Sequence, residues 1–503
     1  MLSRSTASRN LSPRDSIPWL AILVVCALAI LPNSGFAQGL DRGHQILLEK
    51  GLQIQAQVFP VLEDNGQVEG LNLNTWAQSN FTTVNLQWNN QAVQYLGAAP
   101  GIPWGRYSGG TFLLPAETPY LPNMVSFQFS DDEENLNDPT TLQSAVNVLA
   151  DFRQDYPDVL SFTNQNGTQL NASQLANYMA AAKPDMIIFD TYPFNGSTSG
   201  TNRSPTTYYA QMQKYRIAGL AGNDGTGKTP IPYGLYTQAY VPSSGHFVSD
   251  SEMRLNEFAA WAFGYTFVSA YTYSSPDAQG FTSVLFNGVG DSSPTARFTA
   301  LSQINLQSRH LGPSLVRLLS TDIRIIPGQS GSTTNPVPSG MSTWNSSAGP
   351  YISSISATNI GTQNGGKSGD VLVGYYKPLQ PSAEGPSYPN ETYFMIVNAL
   401  TDPTLNANVQ QTIHMTFNFG TSGINSLQEL NSNTGQVQVV PLVSDGGSLY
   451  HLDLTLDGGA GELFKFNDGA VFVIPEPTTL SLFMVAGGGL LLGRRNHRAK
   501  LAA

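Results

Sequence analysis

The 503-residue sequence predicts a (β/α)8 TIM-type barrel followed by a C-terminal antiparallel β-sandwich. Two observations carry this prediction. Between residues 45 and 325, short apolar runs alternate with amphipathic stretches, which is the order of a parallel α/β barrel. A Gly/Pro/Ser/Thr-rich linker follows at 327–345, and residues 346–468 then show only short strand patterns separated by turn signals, as in a sandwich.

Eight barrel strands are predicted. LQIQAQVF (52–59) alternates polar and apolar residues, as a half-buried strand does. The third strand, between Ala92 and Leu114, is interrupted by Gly and Pro and has the weakest pattern. The other six are FTTVNLQW (81–88), MVSFQFS (124–130), VLSFTN (159–164), MIIFDTY (186–192), IPYGLYTQ (231–238) and TFVSAYTY (266–273).

Amphipathic helices are predicted between these strands. TLQSAVNVLADFRQDYP (141–157) places Leu142, Val146 and Leu149 on one helical face. Similar patterns occur at 173–184, 208–221, 251–264 and 295–319.

Residues 1–37 are predicted to form a secretory signal peptide. The apolar run IPWLAILVVCALAILP follows a basic start and precedes small residues at Gly35 and Ala37, as in a cleavable leader. A first transmembrane helix fits less well, because the run is shorter than the roughly 20 apolar residues that span a bilayer. The single cysteine, Cys26, lies in this run, so the processed chain has no thiol for a disulfide or a metal site.

The other end of the chain carries IPEPTTLSLFMVAGGGLLLGRRNHR, residues 474–498. Its Pro-Glu-Pro start, short Gly-rich apolar segment and final arginines resemble the PEP-CTERM sorting signal of Gram-negative-type bacteria. The prolines bar a helix before the apolar part, and the arginines stay on the cytoplasmic side. The resemblance implies an exosortase as partner, transient membrane insertion, and delivery to the cell surface or extracellular matrix. A plain C-terminal membrane anchor is the alternative.

The charge pattern excludes some partners. The net charge is −11, and basic residues concentrate at the two ends, so the body of the chain is more acidic still. Such a surface does not suit nucleic acid, whose phosphates require Lys and Arg. The six histidines are scattered along the sequence without a ligand-spaced pair. We therefore predict neither a metal ion nor another cofactor.

One stretch, GNDGTGKT (222–229), matches the phosphate-binding P-loop pattern. A P-loop requires a strand before it and a helix after it, so that backbone N–H groups face the phosphates. Here a helical pattern comes before the stretch, and Pro230 and Pro232 open a strand after it. We therefore predict a polar loop on the amino-terminal side of the barrel and no bound nucleotide.

The site of a (β/α)8 barrel lies at the carboxyl-terminal ends of its strands. Acidic side chains there are Asp131, Asp132, Glu133 and Glu134 in FSDDEEN and Asp190 in FDTYPF. Two carboxylates that flank a glycosidic bond can hydrolyse it, one by donating a proton and the other by activating water or attacking the sugar. Candidate sugar-binding residues at these strands are Tyr192, Gln238, Tyr236, Tyr271, Trp104 and Asn164.

The strand motifs also resemble a known family. VSFQFSDDEE, LSFTN, KPDMIIFDTYPF, IPYGLYTQAY and EMRLNEFAAWAFGYTFVSAYTY are similar to successive motifs of bacterial (β/α)8 glycoside hydrolases of the β-galactosidase-like and cellulase-like clan. The resemblance covers roughly residues 45–325. It implies a polysaccharide or oligosaccharide substrate. It also implies that Asp132–Glu133 is the pair at the end of strand four, with Glu133 as general acid/base.

One position departs from the pattern of that clan. Its retaining members carry a nucleophilic Glu at the end of strand seven, where this chain has Gln238. Three alternatives stay open: Asp190 supplies the second carboxylate, the mechanism differs, or the barrel no longer hydrolyses sugars. An Asp190 base that acts through water suits an inverting enzyme, whose carboxyl groups stand about 6.5–9.5 Å apart. The alternative function is a non-catalytic carbohydrate-binding or exopolysaccharide-matrix protein.

Structural roles fit several of the same residues. FSDDEENLNDP suits a solvated acidic loop that caps the helix after Pro139. Asp190 suits a carboxylate held by backbone N–H groups in the turn before Pro193. Aromatic side chains in barrel strands are also typical of core.

Overall fold

The computed structural model describes residues 39–59, 71–86, 89–108, 113–131, 134–194, 205–242, 245–275, 282–380 and 393–473. The predicted signal peptide, residues 1–37, and the predicted sorting signal, residues 474–498, lie outside these ranges, as do Asp132 and Glu133. Barrel and sandwich belong to one compact unit, Asp41–Ala503. Among the helices within the described ranges, none is both long enough and apolar enough to cross a bilayer.

The first part of the chain alternates helices with parallel strands, as predicted. The strands are β1 (Gln53–Val58), β2 (Thr83–Leu86), β3 (Trp104–Ser108), β4 (Met124–Phe129), β5 (Leu160–Phe162), β6 (Asn164–Asn166), β7 (Ile187–Asp190), β8 (Tyr233–Gln238), β9 (Tyr240–Val241), β10 (Phe267–Tyr271) and β11 (Thr282–Ser283). The helices are α1 (Arg42–Lys50), α2 (Leu73–Ser79), α3 (Asn89–Ala98), α4 (Pro139–Asp155), α5 (Ala172–Ala182), α6 (Thr206–Ala221), α7 (Asp250–Phe263) and α8 (Ala296–Leu315). A 3-10 helix, Pro115–Asn123, leads into β4.

Strand pairing closes the main sheet into a barrel. The order is β5-β4-β3-β2-β1-β10-β8-β7-β6, and each of these pairings is parallel. Segments β5 and β6 are consecutive, separated only by Thr163; β5 pairs with β4, and β6 pairs with β7. The ring is therefore continuous. With β5 and β6 counted as one interrupted strand it has eight strands, which confirms the predicted (β/α)8 barrel.

The polar side chains of β1 face the barrel interior. Gln55 Nε2 donates to Ser126 Oγ at 2.9 Å, and β4, which carries Ser126, is not a neighbour of β1, so this bond crosses the interior. Ile54 points the other way, into the core beneath the helices. All six residues of β1 are buried. The predicted alternation is confirmed, but the half-buried interpretation is wrong, because the polar side faces other strands instead of solvent.

Helix α1 covers the amino-terminal end of the barrel. Its Ile46 and Leu47 pack against strand residues that include Phe162 and Ile188. Asp41 caps the helix by accepting a hydrogen bond from the His44 N–H at 3.1 Å. This packing leaves the carboxyl-terminal ends of the strands as the place for a site.

The C-terminal part is the predicted antiparallel β-sandwich. One sheet has the order β15-β12-β17-β18-β24-β20-β21, and the other has the order β16-β19-β23-β22. Phenylalanine rings on strands of both sheets share one apolar cluster between them. The strands are β12 (Leu318–Ile326), β13 (Gln329–Ser330), β14 (Thr333–Thr334), β15 (Ser342–Thr343), β16 (Ile352–Asn359), β17 (Val371–Pro378), β18 (Tyr393–Asn398), β19 (Gln411–Asn418), β20 (Ser426–Leu430), β21 (Val437–Pro441), β22 (Val443–Gly446), β23 (Leu449–Leu456) and β24 (Gly461–Phe466).

The first sandwich strand, β12, begins in the stretch that the sequence analysis places in the barrel. It pairs antiparallel with β17, and the linker expected at 327–345 contains the β13–β14 hairpin and β15. Helix α7 packs against β17 and β18 as well as barrel elements. Tyr376 in β17 donates its hydroxyl to the Trp261 carbonyl at 2.7 Å. The two domains thus meet through a buried seam.

The stretch that matches a P-loop connects α6 to β8, as predicted. No helix follows it, because β8 begins at Tyr233. The Asp224 carboxylate accepts hydrogen bonds from the Thr226 N–H and hydroxyl, each at 2.9 Å. Residues 222–229 therefore form a loop with internal hydrogen bonds at the amino-terminal ends of the strands. They lack the strand–loop–helix arrangement that phosphate binding requires.

Candidate functional site

The end of β4 turns an acidic side chain back over the barrel. Ser130 is fully buried and has a φ of 71°, an uncommon conformation for a residue other than glycine. Asp131 follows it, and its Oδ1 accepts from Asn164 Nδ2 at 2.9 Å and from Gln128 Nε2 at 3.4 Å. Such backbone conformations persist where surrounding contacts impose them and are frequent at functional sites. The Ser130 turn therefore fixes the Asp131 carboxylate at the carboxyl-terminal end.

Tyr236 lies at the centre of a polar network that crosses the barrel. Its hydroxyl donates to Gln128 Oε1 at 2.5 Å, and Asn85 Nδ2 lies 3.5 Å from the Tyr236 hydroxyl oxygen. Burial raises the pKa of Tyr236 well above its usual value, and the carboxylates of Asp131 and Asp190 raise it further. The phenol therefore stays protonated and acts as a hydrogen-bond donor. Gln128 bonds both this hydroxyl and Asp131 Oδ1, so the Asp131 carboxylate belongs to the same network.

Asp190 is the last residue of β7 and pairs in register with Tyr236 of β8. Only 8% of its surface is exposed. Its carboxylate also contributes to raising the pKa of Tyr192, after the larger effect of burial. The structure thus brings Asp131, two residues after β4, and Asp190, at the end of β7, around Tyr236, although 59 residues separate the two acids in sequence.

Three half-buried tyrosines form a cluster beside these acids. Tyr192 lies 5.0 Å from Tyr240 and 5.9 Å from Tyr271, measured between ring centroids, and Tyr240 lies 5.5 Å from Tyr271. They follow β7, open β9 and end β10, respectively. We refer to these three residues as the tyrosine cluster. Partly exposed aromatic faces of this kind can stack on apolar faces of a ligand.

Gln238 has a structural partner. Its Oε1 accepts from the Phe194 N–H at 3.1 Å, and its Nε2 lies 3.3 Å from the Phe194 carbonyl. The amide thus satisfies both backbone groups of Phe194 and ties the segment after β7 to the end of β8. A carboxylate cannot make this pair of bonds, because it has no donor. This explains physically why the seventh barrel strand ends in an amide.

Trp104 does not belong to this group. It is the first residue of β3, at the amino-terminal end of the strand, and is fully buried. Its indole N–H donates to the Tyr120 carbonyl in the 3-10 helix at 2.9 Å. The position does not support the prediction that Trp104 lines the cleft. Asp190, Asn164, Tyr192, Tyr236 and Tyr271 are the predicted residues that the structure does bring together.

Gln57, Asn85 and Gln128 belong to the site but were not among the predicted residues. All three are buried amides in barrel strands, and they share the network around Tyr236. In the sequence, these residues occupy the polar positions of alternating strand patterns. That alternation was interpreted as a strand with its polar side facing solvent. Another missed feature is the fully buried ion pair between Arg106 and Glu117, in which burial lowers the pKa of Arg106 to about 10.

Within the described ranges, no group of three or more His, Cys, Asp or Glu side chains is arranged to hold a metal ion. The chemistry that the strand ends offer is that of carboxylates, amides and phenols. Such groups can donate and accept hydrogen bonds to a polar ligand and can transfer protons.

No protein-family model matches this chain, and no curated protein sequence does either. Among solved structures, the chain is similar to an arabinofuranosidase from Xanthomonas axonopodis pv. citri, with 8% identity, a TM-score of 0.36, and coverage of 83% of this chain and 93% of that one. It is also similar to an endo-β-1,3-glucanase from Amycolatopsis mediterranei, with 13% identity, a TM-score of 0.33, and coverage of 51% and 99%. A third is active domain 2 of a chitinase from Pyrococcus furiosus, with 10% identity, a TM-score of 0.35, and coverage of 52% and 97%. At these values, the fold assignment rests on the strand order and pairing of this chain.

Proposed function

We propose that the chain is an exported, surface-sorted glycoside hydrolase-like protein that hydrolyses or engages extracellular polysaccharide. In this proposal Glu133 is the general acid/base and Asp190 the second carboxylate. The observation that carries it is the pair of acids around Tyr236 at the carboxyl-terminal end of the barrel. Gln128 bonds both Asp131 and the Tyr236 hydroxyl, and Asp190 pairs in register with Tyr236. Glu133 follows Asp131 by two residues in the sequence.

The neighbouring groups support a sugar ligand. The tyrosine cluster offers ring faces, and Asn164 and Gln128 add amide groups beside the acids. Sugars present hydroxyl groups to amides and carboxylates and C–H faces to aromatic rings. A site that combines both kinds of group is suited to such amphipathic ligands.

The alternative is a non-catalytic protein that binds carbohydrate or belongs to an exopolysaccharide matrix. It is favoured by Gln238, which occupies the position of the expected nucleophile and is engaged with the Phe194 backbone. A barrel whose amide at this position has a structural task is not poised for a retaining mechanism. If the barrel does hydrolyse sugars, Asp190 and Glu133 must supply both carboxylates.

Turnover tests the choice between these functions. The purified chain is incubated with a panel of polysaccharides and aryl glycosides, and released reducing sugar is measured. A hydrolase requires Glu133→Gln to lower kcat by about 10²–10⁴-fold, with binding retained. Asp190→Asn should cause a loss of the same order. Glu49→Gln is the matched control, because this carboxylate on α1 is 63% exposed at the other end of the barrel.

Two results separate the alternatives. If the protein co-sediments with a polysaccharide and releases no sugar from it, the binding function replaces hydrolysis. If Asp190→Asn keeps full activity on a substrate that Glu133→Gln abolishes, Asp190 is not the second carboxylate.

Export is tested separately. The chain is expressed in a bacterium that has an exosortase, and the surface-associated protein is analysed by N-terminal sequencing and intact mass. We expect a start after Ala37 and loss of the segment that follows Pro475–Glu476–Pro477. A full-length chain recovered from the cytoplasm would contradict the proposed sorting.

A further inference from the structure

Two histidines that are distant in sequence meet on the outer face of the four-stranded sandwich sheet. His414 in β19 pairs in register with Asp453 of β23, and Thr416 pairs with His451. The two imidazoles are thus diagonal neighbours, with ring centroids 5.3 Å apart and planes inclined by 32°. The residues that alternate with them in β19, such as Ile413 and Met415, point into the sandwich core. Both rings therefore project from the same face, away from that core.

Each imidazole is oriented by a carboxylate at the same ring atom. His414 Nδ1 lies 2.6 Å from Asp453 Oδ1, and His451 Nδ1 lies 2.7 Å from Asp445 Oδ1. A proton held at Nδ1 for these bonds leaves the lone pair of the neutral ring on Nε2. His414 Nε2 has Thr416 Oγ1 at 3.5 Å, the outer limit of a hydrogen bond. The side chains of His414 and His451 are 44% and 23% exposed, so an ion can reach them from solvent.

We propose that His414 and His451 form a binding site for a divalent transition-metal ion of the Zn²⁺ type. Metal-binding histidines commonly donate their other ring N–H to a carboxylate, which fixes the ring and makes the ligating nitrogen more basic. Both rings have this arrangement. Imidazole is a preferred ligand of zinc, copper and nickel. The ion joins strands β19 and β23 on the outer face of the four-stranded sheet.

The coordination is open. Asp453 and Asp445 face Nδ1, so the protein contributes two nitrogen ligands, and water fills the remaining positions. This agrees with the finding that no group of three or more acidic, histidine or cysteine side chains is arranged around one point in the described residues. A site with two protein ligands is exchangeable and can accept a further ligand from solution or from a neighbouring molecule.

Zinc binding tests the proposal. The full chain, prepared without a histidine tag and with His497→Gln in every sample, is titrated with zinc chloride by calorimetry. We expect one zinc per chain. His414→Gln and His451→Gln should each weaken binding about tenfold or more, because each removes one of two protein ligands. Asp453→Asn should weaken it by about 10–100-fold while leaving both imidazoles in place.

His310→Gln is the matched control, because His310 Nδ1 lies 2.7 Å from the Ser432 carbonyl in a different part of the fold. Its zinc affinity should equal that of the parent chain. The melting temperature of each variant in chelator shows whether it is folded. If His414→Gln/His451→Gln binds zinc as tightly as the control, or if the parent chain binds none, the site does not exist. The Asp453→Asn result distinguishes a metal site, whose affinity falls, from two simple His–Asp ion pairs.

Discussion

The barrel interior and the sandwich core are both buried, yet they are built from different chemistry. Apolar side chains such as Phe162 and Ile188 lie at the amino-terminal end of the barrel interior. Amides and hydroxyls line the rest of it, where Gln55 bonds Ser126 and Gln128 bonds Tyr236. Phenylalanine rings fill the sandwich, where Phe394 lies 5.3 Å from Phe464 and 5.1 Å from Phe466. Hydrogen bonds fix direction, whereas ring packing mainly removes apolar surface from water.

The difference separates two tasks within one chain. The barrel network holds Asp131 and the Tyr236 phenol in defined orientations at one end of the strands. The apolar cluster between the sandwich sheets is devoted to packing. The buried amides of the sandwich, Asn398 and Gln411, bond each other and nearby backbone groups. We therefore expect substitutions in the sandwich to change stability with little effect on the site. Substitutions among the barrel amides should disturb the site as well.

The largest effect is expected from truncation of a sandwich ring. Phe394→Ala should lower the free energy of unfolding by about 3–5 kcal/mol, because the ring is fully buried among other phenylalanines and its loss leaves a cavity. Urea denaturation measures the change. Val439→Ala, at a side chain that is 62% exposed, should stay within about 0.5 kcal/mol. Equal losses in the two variants would refute the assignment of Phe394 to a close-packed core.

Helix α7, which packs against elements of both domains, carries a buried titratable group. Glu257 in α7 is fully buried and accepts from Ser308 Oγ at 2.6 Å; burial raises the pKa of this carboxyl to about 8, an effect that the Ser308 bond partly offsets. The folded state therefore holds a proton that the unfolded state releases near pH 4.5. Stability should fall as the pH rises from about 4.5 to about 8, by on the order of a few kcal/mol, and then level off.

Glu257→Gln should remove most of that slope. The amide oxygen still accepts from Ser308, and the side chain stays neutral at every pH. Urea midpoints should agree with the parent chain at pH 5 and exceed it at pH 8.5. Some slope below pH 7 will persist, because burial, followed by the neighbouring Glu429, raises the pKa of Glu462 to about 7. Parallel pH profiles for the two proteins would show that Glu257 is not the source.

The sequence predicted the barrel well because its signals are local. Strand length, helix periodicity and their order along the chain were enough to predict a ring, formed by β1–β8 and β10, and a β-sandwich after it. The signal that places Asp190 at the end of a strand is also local in sequence. The acids after β4 were predicted in the same way, and the prediction for Asp132 and Glu133, which lie outside the described residues, stays untested.

The roles of the barrel amides depend on partners that are distant in sequence, so they could not be predicted in this way. Gln55 meets Ser126 from 71 residues away, and Gln238 meets Phe194 from 44 residues away. A period of two shows that a strand has a polar side, but only the partner strands decide whether that side meets water or other amides. Trp104 illustrates the converse, because its place at the start of β3 sets it apart from the strand ends that carry the site.

A substitution at Gln238 tests how much its two hydrogen bonds to the Phe194 backbone contribute to the stability of the barrel. Gln238→Glu keeps the shape of the side chain but replaces its N–H donor with an oxygen that faces the Phe194 carbonyl. We expect a loss of about 1–3 kcal/mol in unfolding free energy, the cost of leaving a buried acceptor unpaired. Gln303→Glu is the control, since Gln303 is exposed on α8. Measurements at pH 7 should separate the variants. A Gln238→Glu protein as stable as its control would mean that the bonds to Phe194 contribute nothing.

The smallest effect is expected in the loop that matches a P-loop, which belongs to neither interior. Lys228 is exposed, and the loop N–H of Thr226 is already bonded to Asp224, so Lys228→Ala should change unfolding free energy by less than about 0.5 kcal/mol. A nucleotide that bound here would stabilise the folded state in proportion to its occupancy. Magnesium-ATP should therefore leave the melting temperature of both proteins unchanged. If magnesium-ATP raised the melting temperature of the parent chain but not that of Lys228→Ala, the loop would bind nucleotide after all. The hydrogen bonds between Asp224 and Thr226 would then have to break on binding.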